Sequence, residues 1–181
     1  GLRDDVEGAR ADCEELIARW HGRGRNAFAA TVRFAVTSTP EQLAMAGELG
    51  RRHAGLYMQT HVAENRDEVR WVRELFPEAR SYLDVYHRAG LLHERAVLAH
   101  GIWLDDTDRA ALRFLIESLN DDGYLEDSFQ SLAESLAGDD LEQCEELVHR
   151  FQVALGLLQS LEPVGVGARD LGECLRLQLR A

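Results

Sequence analysis

The chain of 181 residues contains no lysine; its 20 basic residues are all arginine, set against 32 acids, for a net charge of −12. That surplus of acid excludes sequence-independent binding to nucleic acid, which rests on neutralising phosphates with cations. Cysteine is scarce, and Cys13, Cys144 and Cys174 stand too far apart for any metal-ligand spacing. An odd number of thiols fits a reducing compartment. No apolar run approaches the ~20 residues of a membrane-spanning helix. The first residues, Gly1-Leu2-Arg3-Asp4-Asp5, hold no apolar signal core. The expectation is a cytoplasmic protein with neither DNA nor a membrane as partner. Only Pro40, Pro77 and Pro163 are proline, and no low-complexity tract or flexible linker divides the chain.

What is present is unevenly spread. Up to Leu104 there are 14 arginines and 15 acids, net −1; from Asp105 onward there are 6 arginines and 17 acids, net −11. All three tryptophans and six of the seven histidines precede Asp105. The hydrophobic pattern changes at the same place. Before it, helices predicted over Arg3 to Trp20, Ser38 to His53, Asn65 to Phe76 and Ser81 to Ala89 alternate with strands predicted over Phe28 to Val36, Leu56 to Ala63 and within Arg95 to Leu104. Twenty or more residues between successive strands argue for right-handed parallel crossovers. After it, only helices are predicted. The first is capped by Asp105 or Asp106, with Leu112, Leu115, Ile116 and Leu119 on one face. Others follow over Ser128 to Ala137, Asp140 to Leu161 and from near Arg169, the last with Leu171, Cys174, Leu175 and Leu179 as its apolar set. Pro163 to Asp170 is glycine-rich before a helix, but no strand precedes it and no Lys-Ser/Thr follows. It reads as a helix-breaking corner, not a phosphate loop.

In the first part, His61 near the end of a strand, Glu64 three residues on and His100 on the next strand have the makings of a metal site. Two imidazoles reach one zinc, and a carboxylate shuttles protons from its water. By spacing alone the motif is weak, and unrelated strand-end histidines explain it as well. The wording around it is more specific. Arg19 to Arg25 (RWHGRGR), Thr31 to Leu43 (TVRFAVTSTPEQL), Gln59 to Tyr86 (QTHVAENRDEVRWVRELFPEARSYLDVY) and Leu98 to Asp106 (LAHGIWLDD) closely resemble guanine deaminase of the amidohydrolase superfamily. The resemblance runs from about residue 1 to 108. It implies (β/α)8-barrel units, zinc ligation by His61 and His100, proton shuttling by Glu64 and a guanine-holding pair, Arg33 and Phe34. The family's His-x-His pair is not found in the sequence, and nothing after His100 reads as a strand ending in a metal-facing Asp. Catalytic zinc takes three protein ligands and a water. The expectation is therefore no guanine deaminase activity, no cofactor, and at most weak zinc binding at His61 and His100.

In the second part, Leu115 to Leu136 (LIESLNDDGYLEDSFQSLAESL) and Leu157 to Leu179 (LLQSLEPVGVGARDLGECLRLQL) strongly resemble the core-binding domain of sigma-54 class RNA polymerase sigma factors. That resemblance covers about 105 to 181 and implies RNA polymerase core as a partner. Only part of the domain is present, which argues against retained binding. Leu104 to Ala110 suits either parent. The resulting expectation is an artificial chimera with an α/β part over 1–108 and an all-α part over 109–181: three parallel βα units of a (β/α)8 barrel packed against a helical C-terminal segment. Three barrel strands leave two sheet edges unpaired and a former barrel interior, lined by side chains such as those of Thr31, Arg33, Gln59 and His61 or by their alternates, without cover. A homo-oligomer, strand exchange among its forms, is expected from that. The alternative functions are an RNA polymerase core-binding module and a residual zinc-dependent amidohydrolase site completed by oligomerisation.

Overall fold

A short polar side chain stands before nearly every helix, and the fold is laid out between these stops. In the computed structural model, which describes residues 5–180, the expected start at Arg3 lies outside the described residues. The first helix, α1, spans Val6–Trp20, and the Asp5 carboxylate caps it by accepting from Gly8 N. Thr39 caps α2 (Pro40–Arg52) in a reciprocal box with Gln42. Asn65 caps α3 (Arg66–Leu75) and Ser81 caps α4 (Tyr82–Arg88). Between these helices run three strands, β1 (Ala29–Thr31), β2 (Tyr57–Val62) and β3 (Ala96–His100). They form one sheet in the order β1-β2-β3, both pairs parallel. Parallel pairing follows from the helical crossovers, since a tight turn only allows antiparallel neighbours.

Burial alternates along β2. Met58, Thr60 and Val62 are buried, whereas Gln59 on the other face is exposed. The row Thr31, Gln59 and Val97, in register across the three strands, is exposed throughout. Leu43, Leu49, Val72, Leu83, Tyr86 and Leu91 form the core with the buried face of the sheet's residues.

One strand is shorter than the sequence predicts. The expected strand over Phe28 to Val36 keeps bonds to β2 from Phe28 O to Arg33 O, then breaks, and Ala35–Thr37 is a 3-10 turn. The cause is side-chain competition for the backbone. The Tyr86 hydroxyl takes the N–H of Ala35, and the Ser38 and Thr37 hydroxyls donate to Phe34 O.

The chain divides into two compact units, one of residues 1–91 and 95–103, the other of 92–94 and 104–181. The second is helical: α5 (Asp106–Glu117), α6 (Phe129–Ala137), α7 (Leu141–Gln159) and α8 (Leu171–Arg180). Asp105, Ser128 and Asp140 cap the first three. Its core holds Ala111, Leu115, Leu125, Leu132, Ala133, Phe151, Ala154 and Leu158. Phe151 stacks on Phe114 at 5.3 Å between centroids. Two predicted faces are turned from expectation. Ile116 points outward because Ala111 and Leu115 carry α5's contact. On α8, Leu177 is the buried leucine, while Leu171, Leu175 and Leu179 are exposed.

The glycine-rich corner closes this unit. Gly167 N donates to Gly123 O, and Leu125 N to Ala168 O, so the corner and the Asn120–Gly123 turn clasp each other. Gly165 has φ +100, and a Cβ there would lie 2.8 Å from Cys174 Sγ, so only glycine fits. No helix among the described residues is long and apolar enough to cross a membrane.

Beside the corner, Arg169 grips Glu173 with both Nε and Nη2, and its backbone N–H donates to the same carboxylate. The guanidinium holds the Glu173 carboxyl down at about 2, from an ordinary 4.5. A carboxyl depressed in the folded state binds its proton more readily when unfolded, so the pair's stabilisation is full above pH 4.5 and lost as pH falls toward 2. Urea unfolding across that interval is expected to show a shallower loss of stability for Glu173→Gln than for the parent chain. Equal slopes would refute the assignment.

Candidate functional site

Both strands that carry a predicted ligand end in left-handed backbone. Ala63, directly after β2, has φ 49, and His100 has φ 75 with Gly101 following at φ 65. Residues other than glycine rarely adopt this conformation, and its cost must be met by surrounding contacts. Gly101 N donates to Val62 O at 2.8 Å and Trp103 N to Ala63 O at 2.9 Å, so the chain leaving β3 hooks onto the end of β2. The guanidinium of Arg66 lies over the Trp103 ring, 4.1 Å from its centroid, which holds the hook from above.

The hook sets the histidines. His100 pairs in register with Val62, whose side chain is buried, and strict alternation would send His100 to that same face. With the backbone turned at His100, its imidazole instead stacks on that of His61, centroids 5.5 Å apart and planes at 26°. His100 Nε2 lies 3.5 Å from Glu64 Oε2, and both side chains are partly exposed. The Arg33 carbonyl accepts from His61 N at 3.1 Å and meets His61 Nδ1 at 2.6 Å. A carbonyl only accepts, so Nδ1 carries hydrogen. The Arg33 side chain is exposed and lies 5.2 Å from the Phe34 ring centroid. His61, His100 and Glu64 are thus gathered at one end of the sheet, with Arg33 joined to them through its backbone. Arg33 and Phe34 stack on each other.

A residue that the sequence reading missed holds this arrangement. Tyr86 on α4 is fully buried. Its hydroxyl donates to His61 O at 2.7 Å and accepts from Ala35 N at 3.0 Å and Thr60 Oγ1 at 3.1 Å. It therefore ties β2, the turn after β1 and α4 together immediately behind His61. Burial pushes the Tyr86 phenol up, and burial, Tyr86 and the neighbouring Glu68 carboxylate push Tyr82 up, so both stay protonated as donors. The available signal was Tyr82 and Tyr86 at i,i+4 on a short helix, two hydroxyl-bearing rings on its buried side.

A catalytic zinc takes three protein ligands and a water, and here His61 and His100 bring two imidazoles together, stacked with their planes at 26°. Among the described residues no three His, Cys, Asp or Glu side chains are gathered as a metal site.

Comparison with known proteins divides the chain by class. Residues 93–181 match the family model for the sigma-54 factor, core binding domain, while the remainder is similar to guanine deaminases. In particular, the guanine deaminase of Escherichia coli (strain K12) is 44% identical over 107 residues, 59% of this chain but 24% of that protein. A solved structure of E. coli guanine deaminase superposes with TM-score 0.59 and 33% identity, covering 81% of this chain and 33% of that one. The RNA polymerase sigma-54 factor of Pseudomonas aeruginosa (strain UCBPP-PA14) is 47% identical over 88 residues, 45% of this chain and 17% of that protein. The chain spans about a quarter of the deaminase relative and about a sixth of the sigma-factor relative. The sigma-54 match reaches back past Asp105 to residue 93, so it takes in the sequence of β3.

Tyr86→Phe keeps the ring and removes the hydroxyl from three partners, two of them in buried bonds. It is expected to destabilise the chain by about 2 kcal/mol, measured by urea unfolding. A change near zero would show that the hydroxyl does not hold the strand end.

Proposed function

We propose that this chain is an artificially recombined protein: a three-strand piece of a guanine deaminase barrel, joined across Leu104–Ala110 to part of a sigma-54 core-binding domain, with no deaminase activity of its own. The observation that carries this reading is the donor set at the sheet end. His61 and His100 are stacked, and the Glu64 carboxylate lies 3.5 Å from His100 Nε2. On this reading His61 and His100 are the remnant of a metal site, Glu64 the remnant of its proton shuttle, and Arg33 with Phe34 the remnant of a guanine-holding pair.

A second reading is favoured by the match over 93–181. On it, the helical unit is a module that grips RNA polymerase core. The Arg169–Glu173 clasp and the closed corner support a helical unit with its own ordered shape.

Two experiments separate these. Incubated with guanine and added zinc, the chain is expected to release ammonia no faster than buffer, and His61→Ala and His100→Ala to change nothing. Release that those substitutions abolish would overturn the first reading. Passed over immobilised RNA polymerase core enzyme, the chain is retained if the second reading holds and flows through if it does not.

A further inference from the structure

Among the described residues the sheet has two edges with no further strand, and one of them opens into a cavity. On β1, Phe28 O and Val32 N bond to β2. Alternation then turns the backbone N–H and C=O of Ala29 and Thr31 to the other side, where no further strand pairs among the described residues. The Thr31 hydroxyl donates to Ala29 O at 3.3 Å, a weak local substitute for a ladder bond. Beside this edge lies a cavity of about 290 Å³. Its lining takes in Ala30 and Val32 from one face of the strand and Thr31 and Arg33 from the other. Consecutive residues line one space only where that space wraps around a strand's edge. Cys13 of α1 and Met45 of α2 supply apolar wall. The slot has the shape of a missing strand position with room for a side chain on its helix side.

The opposite edge carries a matching strand. On β3, Arg95 O and Gly101 N bond to β2, so the backbone groups of Ala96 and Leu98 turn outward. Ala96 is buried and Leu98 half-buried, on the face that packs toward the helices. A parallel continuation of the sheet keeps its faces, which puts Leu98 of the added strand at the mouth of the cavity beside Ala30 and Val32. It also keeps strand ends together. Arg33, exposed beyond the end of β1, then faces the His100–Glu64 pair at the end of the added β3, cation against carboxylate. The sheet-bearing part of the chain is nearly neutral, 14 arginines to 15 acids up to Leu104, so the chain's surplus of acid lies outside the segments that would meet.

We infer that β3 of a second copy of this chain adds in parallel to the free edge of β1, with Leu98 entering the cavity and the second copy's Glu64 meeting Arg33. The contact is head-to-tail: each copy offers β1 on one side and β3 on the other, so association closes into a ring or extends. Backbone ladder bonds supply the attraction and the cavity sets the register, as in strand addition generally. The inference is independent of whether any deaminase chemistry survives.

The register that runs Thr31, Gln59, Val97 across one sheet sets the test. In the head-to-tail contact, Thr31 of one copy neighbours Val97 of the next, and both positions are exposed. Thr31→Cys and Val97→Cys chains are made separately, oxidised alone and mixed, and their disulfides mapped by peptide mass spectrometry to set them apart from bonds of the three native thiols. Solution mass of the unsubstituted chain is measured over a range of concentrations. Expected are a 31–97 interchain disulfide that forms only in the mixture and a mass above that of one chain, rising with concentration. A 31–31 disulfide in the Thr31→Cys chain alone would show two β1 edges meeting and overturn the proposal. So would a mass of one chain at every concentration with no 31–97 bond in the mixture.

Discussion

A parallel sheet needs cover on both faces, and among the described residues only β2 of this sheet has strand partners on both sides. Everything in the sheet-bearing unit is arranged around that central strand. Met58, Thr60 and Val62 send their side chains into the core, and Tyr57 N, Met58 N and Gly101 N draw the flanking segments into its ladder. The unsatisfied needs fall at the margins: two open edges and an exposed row of Thr31, Gln59 and Val97. Free edges recruit further strands, so the cavity beside β1 and the half-buried Leu98 on β3 are two sides of one unmet constraint.

The end of β2 is where local rules stop describing the chain. Tyr86 captures Ala35 from 51 positions away, which ends β1 before the run of strand-forming residues does. No window of sequence around Phe28 to Val36 contains that information. The same holds for His100. A strand pattern predicts alternation, and the chain instead turns left-handed there because Gly101 and Trp103 are bonded back to β2. By contrast, the helix starts were legible to within a residue, at Ser38-Thr39, Asn65, Ser81, Asp105 or Asp106, Ser128 and Asp140, and the caps are Thr39, Asn65, Ser81, Asp105, Ser128 and Asp140. A cap acts within one turn on backbone N–H groups three residues away, so its whole cause lies in the local sequence. The three candidate site residues His61, Glu64 and His100 were found by motif. Their stacked geometry was not, since it depends on that turn.

The helical unit shows how a net charge of −11 from Asp105 onward is carried without an equal number of arginines. Several of its acids sit at helix starts, where the dipole and free N–H groups favour them. Asp105, Asp140 and Asp170 each accept a backbone N–H three residues on. The few arginines are used more than once. Arg150 donates to Thr107 Oγ1 at 2.6 Å and pairs with Glu146 at 2.7 Å, and Asp108 lies 3.9 Å away. It therefore fastens the start of α5 to α7 through two side chains, Thr107 and Asp108, while Glu146 of α7 holds the guanidinium from its own helix.

That fastening locates the change of structural allegiance more sharply than composition does. Trp103 is bonded to Ala63 and covered by Arg66, and so is held by the sheet. Asp105, two residues later, caps α5, and Thr107 and Asp108 meet Arg150. Leu104 is the one residue between. Such an abrupt change is possible because a strand end followed by an aspartate cap makes no demand on what the helix packs against. The cap satisfies N–H groups of its own first turn, and only side chains from Ala111 onward choose a core. A segment of this kind serves a strand–helix crossover and the first helix of a bundle equally well. That is why Leu104–Ala110 reads as native to both similarities, and why two unrelated pieces can share it without a linker.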